Sequence, residues 1–274
     1  LFRKYAVWFL ALVFVALAAS SGVGLYFTYR ESQTALLNLQ QEKATAAASR
    51  IEAYVQEIEH QLGWMRLSQL EGNNLEQQRI DYLKLLRQVP AITEVSLLDR
   101  NGREQLKVSR LGVDVIGSKA DFSQDPKFTA ARRGKTWFSP VYFRKDTEPY
   151  MTVSVSGAGR GSAVTVTEVN LKFIWDVITR IRIGQNGLAY VVDSRGQLIA
   201  HPDISRVLQK SDLSTMPQIR AAIAPPGPDS PARVNIARDL KNQEVLTAHA
   251  SIPELGWHVF AEQPVGGALQ GCVE

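Results

Sequence analysis

Two neighbouring strand-like segments carry residue types that can build a small-molecule site. Lys135 and Trp137 stand two apart, so on a strand they share one face. Tyr150 and Thr152 share a face of the next strand, across a hairpin running from Arg144 to Glu148. A cation among inward-facing aromatics makes the floor of a pocket, with Tyr142 and Asp121 as further candidates. The same residues also read as core aromatics with a solvated rim charge, and the sequence leaves both readings open. Other chemistry lacks its residues. His60, His201, His249 and His258 are scattered without metal-ligand spacing, and the one cysteine, Cys272, supports neither a disulfide scaffold nor a zinc ribbon. No nucleophile elbow, P-loop or kinase motif occurs. Gly157-Ala158-Gly159-Arg160-Gly161 precedes no helix and reads as a hairpin, not a phosphate cradle. In His201-Pro202-Asp203 the aspartate reads as the cap of a helix that begins at Ile204. No catalytic residue, metal or cofactor is expected.

The chain that positions these residues has 274 residues and a net charge of +4, with 45% hydrophobic and 21% charged residues. That is the composition of a folded protein. The charge is too small, and too little clustered with aromatics, for a nucleic-acid-binding surface. Tyr5–Tyr29 contains no charged residue and follows Arg3 and Lys4. As a helix it spans about 37 Å, enough to cross a bilayer core, and the basic flank keeps the N-terminus cytoplasmic. A cleaved leader is the competing reading, with Ala16-Leu17-Ala18 as its cleavage site. The apolar run continues past that site through Val23, Leu25, Tyr26 and Phe27, which favours an uncleaved anchor. From Arg30 to about Leu70 there is no proline, and Ile51, Val55, Ile58, Leu62 and Met65 repeat with heptad-like spacing. This predicts a long stalk helix whose stripe pairs with a second copy or packs on its own domain. A second helix is expected over Leu75–Gln88, before Pro90.

Strand texture begins after Pro90. Asp99 and Asp193 stand at the same spacing as Gly102 and Gly196, and as Glu168 and Glu262. Met151–Ser156 resembles Leu246–Ser251 one residue further apart. Four segments at nearly one spacing predict two copies of an α+β module with antiparallel strands. The apolar positions of Leu171–Ile181 have helical spacing and place a linking helix between the copies.

Further segments carry a resemblance to a known family. They are Trp137-Phe138-Ser139-Pro140-Val141-Tyr142-Phe143, then Pro149-Tyr150-Met151, the string from Gly187 to Asp203, and Gly256-Trp257. With the anchor and stalk they resemble the double Cache sensor region of bacterial transmembrane receptors, over about residues 30–265. The resemblance implies this organisation: a transmembrane helix with a short cytoplasmic N-terminus at 1–29, and the stalk and second helix at 30–89. A membrane-distal PAS-like module with its linking helix follows at 90–182, and a membrane-proximal PAS-like module at 183–265. A tail at 266–274 would approach a second membrane span. It further implies a location in the periplasm on the inner membrane, a homodimer through the stalk, and small-molecule sensing. The output would be a histidine kinase; the alternatives are a nucleotide cyclase, a diguanylate cyclase, a chemotaxis receptor or a secreted solute-binding protein. Amino-acid-binding members carry Arg-x-Trp-Tyr, then a tyrosine and an aspartate. Here the matching positions are Lys135, Trp137, Phe138, Tyr150 and, at the acid, Asn170. Lysine lacks the bidentate fork of arginine, and asparagine cannot neutralise an ammonium. The resemblance therefore implies a small carboxylate ligand held by Lys135, Trp137, Phe138, Tyr142, Tyr150, Thr152 and Asn170.

Overall fold

The computed structural model describes residues 2–68, 74–134, 136–144, 148–157, 162–181, 183, 186–224 and 234–265. Side chains are described from Gln33 on, apart from 65–68, and before that only at Phe14, Ser20 and Glu31. The tail at 266–274 and Lys135 lie outside these residues.

Helix-forming residues without a proline give one unbroken helix, α1 (Phe2–Ser68). Among the described residues no helix is long and apolar enough to cross a membrane. Nearly all side chains of the expected span, Tyr5–Tyr29, fall outside that description. A second helix, α2 (Leu75–Gln88), starts at Asn74, whose side chain accepts from the Glu76 amide.

Seven strands form the first sheet: β1 (Ile92–Leu98), β2 (Glu104–Ser109), β3 (Val115–Ile116), β4 (Trp137–Phe138), β5 (Tyr142–Arg144), β6 (Glu148–Ser156) and β7 (Val164–Asn170). Their order is β3-β2-β1-β7-β6-β4, with β5 also paired to β6, all antiparallel. The short α3 (Pro126–Thr129) lies in the β3–β4 connection, and α4 (Lys172–Arg180) follows the sheet. The second sheet contains β8 (Leu188–Val192), β9 (Leu198–Ala200), β10 (Ile236–Arg238), β11 (Glu244–Ile252) and β12 (Trp257–Pro264), ordered β10-β11-β12-β8-β9. Helices α5 (Ile204–Leu208) and α6 (Pro217–Ile223) connect β9 to β10. Asp203 does cap α5, its carboxylate accepting from the Ser205 amide at 3.1 Å.

The two sheets share construction details. In each, the first strand pairs with the last, and the last with the strand before it. The turn after the first strand is built alike in both. Asp99 accepts from the amides of Asn101 and Arg103, and Asp193 from those of Arg195 and Gln197. Gly102 (φ 81°) and Gly196 (φ 82°) close these turns in the left-handed region. A Cβ on Gly196 would sit 2.8 Å from the Ser214 backbone. Gly196→Ala is therefore expected to cost about 2 kcal/mol or more, from the positive φ and the clash together. Urea denaturation reads this directly; an unchanged midpoint would contradict it.

The buried stripe of α1 packs on its own domain. Ala44, Ala48, Ile51, Ile58 and Leu62 share one core with Met151, Val153 and Val155 of β6, Ile174 and Ile178 of α4, and Trp257, Val259 and Ala261 of β12. The helix is a common spine for both sheets. Of the two expected uses of that stripe, packing on its own domain is the one present here: Ile51, Val55, Ile58 and Leu62 are at most 2% exposed within a single chain. A homodimer through the stalk would have to use another face.

Candidate functional site

Side chains alternate along β6. Met151, Val153 and Val155 enter the core beneath α1, so Tyr150, Thr152 and Ser154 face the opposite side. Register carries that face onto neighbouring strands: Thr152 stands opposite Glu168 of β7, and Glu94 of β1 is paired with Glu168 from the other side. Two carboxylates thus lie on central strands of the sheet, on the face turned away from α1.

Their surroundings differ. Glu94 accepts from Arg144 Nη2 at 2.9 Å, Lys107 Nζ at 3.2 Å and Ser109 Oγ at 3.1 Å. Burial pushes its carboxyl up, but the hydrogen bonds and charges of Arg144 and Lys107 outweigh this and hold it below the usual carboxylate range. Glu168 accepts from the hydroxyls of Thr152, at 3.1 and 3.2 Å to its two oxygens, and of Tyr142. Among the described residues no Lys, Arg or His comes within ion-pair distance of it. Burial, aided by the charges of Glu94 and Asp125 and opposed by Lys127 and Lys107, pushes its carboxyl up to about 7.

Aromatic rings flank this pair of acids. Tyr142 and Tyr150 stack at 6.2 Å, and the Arg144 guanidinium lies 5.4 Å from the Tyr150 ring centroid. The Tyr150 hydroxyl donates to Glu148 at 3.2 Å, and Asn170 Nδ2 donates to Glu148 at 3.0 Å and to Tyr150 at 3.2 Å. Tyr150 is 1% exposed, whereas Tyr142 is 37% exposed and marks the open side of the cluster.

The candidate residues from the sequence therefore do not all meet. Tyr142 and Thr152 converge on Glu168, and Tyr150 stacks on Tyr142 beside them. Asn170 is linked to them only through Tyr150 and Glu148. It also borders an apolar cleft of about 450 Å³ with Leu171, Trp175, Ile199 and Val207. Trp137 is paired with Ser154, and with Phe138 it lines a second cleft of about 450 Å³ that reaches Asp193, Arg195 and Trp257 of the second-sheet region. Asp121, a weaker candidate, accepts from the Ser123 amide at 2.9 Å and serves a turn.

A sequence model of the Cache domain, dCache_1, matches residues 28–271. The chain belongs to the Cache-domain family. No curated protein matches it. Solved structures share the fold at low identity. The extracellular domain of the putative histidine kinase mmHK1S-Z2 superposes with a TM-score of 0.69 at 15% identity, covering 85% of this chain and 99% of that one. The ligand-binding domain of Mlp24, solved with asparagine, gives 0.61 at 14% identity, covering 89% and 99%. That of the Pseudomonas aeruginosa amino-acid chemoreceptor PctB, solved with L-Arg, gives 0.61 at 17% identity, covering 85% and 97%.

For this Cache domain the structure adds an acid that the ligand reading did not include. The expectation of a carboxylate ligand rested on Asn170 standing where an acid would be. Glu168, two residues earlier on the same strand and face, brings an acid against Thr152 and Tyr142. Glu94, Arg144 and Lys107 were also missed as members of the cluster. One signal was available for Glu168. It interrupts the β-forming run Val164-Thr165-Val166-Thr167, and a charge on a central strand of a covered sheet needs a reason.

Proposed function

We propose that this Cache domain is the extracytoplasmic sensor region of a membrane receptor, and that the face carrying Glu168 receives a small ligand with a cationic nitrogen. One observation carries the ligand chemistry. Glu94 holds two cations, whereas the neighbouring Glu168 has only hydroxyl donors among the described residues. A ligand ammonium would supply the missing charge partner, and Tyr142 and Tyr150 would border its apolar part. The ligands bound to Mlp24 and PctB, asparagine and L-arginine, both carry an ammonium group.

Around this site we read residues 90–182 as the membrane-distal module and 183–265 as the membrane-proximal one. Residues 1–29 are the membrane anchor, and the chain from about residue 30 lies in the periplasm. The output is a histidine kinase, the assignment that the similar structure from the putative histidine kinase mmHK1S-Z2 supports. Because α1 is continuous from Phe2 to Ser68 and packs on both sheets, a ligand that favours one packing of β6 against α1 has a path to the membrane. It can shift that equilibrium only by its differential affinity for the two packings.

The test is a thermal-shift screen of the whole chain against amines, amino acids and organic acids. A ligand at 100 times its dissociation constant adds about 2.7 kcal/mol to stability. The expected hit is an amine or amino acid whose effect disappears in Glu168→Gln, a change that keeps an acceptor for Thr152 and Tyr142. Hits confined to organic acids, with Glu168→Gln indifferent, would overturn the reading and return weight to Lys135 and Trp137.

A further inference from the structure

The second sheet repeats the arrangement around Glu168 and buries it more deeply. Glu262 on β12 stands opposite Thr247 of β11, as Glu168 stands opposite Thr152. It is 3% exposed and accepts from the Tyr190 hydroxyl at 2.6 Å and from Gln218 Nε2 at 3.2 Å. Among the described residues no Lys, Arg or His lies within ion-pair distance of it. Burial pushes its carboxyl up, against the hydrogen bonds from Tyr190 and Gln218.

Glu262 borders a cavity. With the buried Tyr190 and His201 it lines the inner part of a space of about 200 Å³, and Arg206, Asp239 and Lys241 line the part nearer solvent. His201 adds no positive charge there at neutral pH: burial lowers its pKa, and its Nδ1 accepts from the Asp203 amide at 2.9 Å. Arg206 keeps a loose contact with Asp203, at 3.5 Å. Lys241 is exposed and forms no ion pair among the described residues. The cavity therefore has an acid at its buried end, and its outer part holds two cations, Arg206 and Lys241, beside two acids, Asp203 and Asp239. At ~30 Å³ per water it has room for about seven waters, less than the ~300–1,000 Å³ of sites for drug-sized ligands.

We propose that this cavity is a second ligand site, which takes a small zwitterion with its ammonium at Glu262 and its carboxylate towards Arg206 and Lys241. The site goes beyond the one at Glu168 and does not require it. The experiment is calorimetric titration of the whole chain, in detergent at neutral pH, with glycine, β-alanine and γ-aminobutyrate. At least one of the three is expected to show a binding event that weakens about tenfold or more in Glu262→Gln, the loss of a charge-assisted hydrogen bond. That event persists in Glu168→Gln. Lys241→Ala, a change at an exposed side chain, is expected to weaken the same event severalfold and keeps the test decisive should Glu262→Gln fail to fold. Binding that is lost in Glu168→Gln but unchanged in Glu262→Gln and Lys241→Ala would overturn this site and leave the first one standing. Binding that survives Glu168→Gln and falls in Lys241→Ala supports this site and leaves the first to the amine screen described above. No heat from any of the three probes with the unmodified chain would overturn it.

Discussion

Glu168→Gln is expected to raise stability at neutral pH relative to the unmodified chain, and to leave it nearly unchanged at pH 4. In the folded protein the Glu168 carboxyl is pushed up from 4.5 to about 7, chiefly by burial. The folded state therefore binds this proton more tightly than the unfolded chain does. Its contribution to stability is fully present below the unfolded value, near 4.5, and is lost as pH rises through about 7. One pKa unit is about 1.4 kcal/mol, so the loss over this window is on the order of 3 kcal/mol at most. Partial exposure of the side chain makes about 1–2 kcal/mol the sounder expectation. Glu262 is raised as well, and lowered pKa values at His201 and His258 act in the opposite direction, so the absolute curve mixes several groups. The difference between the two proteins isolates Glu168. Urea denaturation from pH 4 to 8 measures it, and parallel curves would show that the site does not hold a reluctant carboxylate. A cationic ligand needs the ionised form, so its affinity should climb with pH over the same window and level off above about 7.

Local features were the most readable part of the chain. The matched spacing of Asp99 with Gly102 and Asp193 with Gly196 pointed to two like turns, and both are present with the same hydrogen bonds. The second helix was legible from its position before Pro90, and the α5 cap from Asp203 ahead of a helical run. These depend on neighbours in sequence, whose geometry one residue type can set. The site was less readable because it depends on register. That Glu168 and Thr152 face each other follows from the β6–β7 pairing, which no local pattern specifies. The repeat had already marked Glu168 and Glu262 as equivalent, but only the pairings Thr152–Glu168 and Thr247–Glu262 show that both are acids beside a threonine. Trp137 and Phe138 show the same limit from the other side. Their aromatic character suggested a pocket wall, and they do line a cleft, yet Glu168 is not among the residues that line it.

The heptad-like stripe on α1 was ambiguous for a physical reason: a helix meets a sheet and a partner helix with the same apolar spacing. The two uses differ in how a deletion behaves. Ile58 is 1% exposed inside a core shared by α1, both sheets and α4. Ile58→Ala is expected to lose about 2–5 kcal/mol, from lost transfer energy and the cavity left behind. Because those contacts lie within one chain, the loss should be the same at every protein concentration. Were the stripe a dimer seam, the denaturation midpoint of the unmodified chain would rise with concentration, and Ile58→Ala would shift that dependence. Denaturation at widely spaced concentrations separates the two. A large, concentration-independent loss would fix α1 as the spine on which both sheets ride. A small loss, or one that changes with concentration, would move the stripe into an interface and leave the sheets coupled mainly through α4, whose Ile174 and Ile178 belong to the same core.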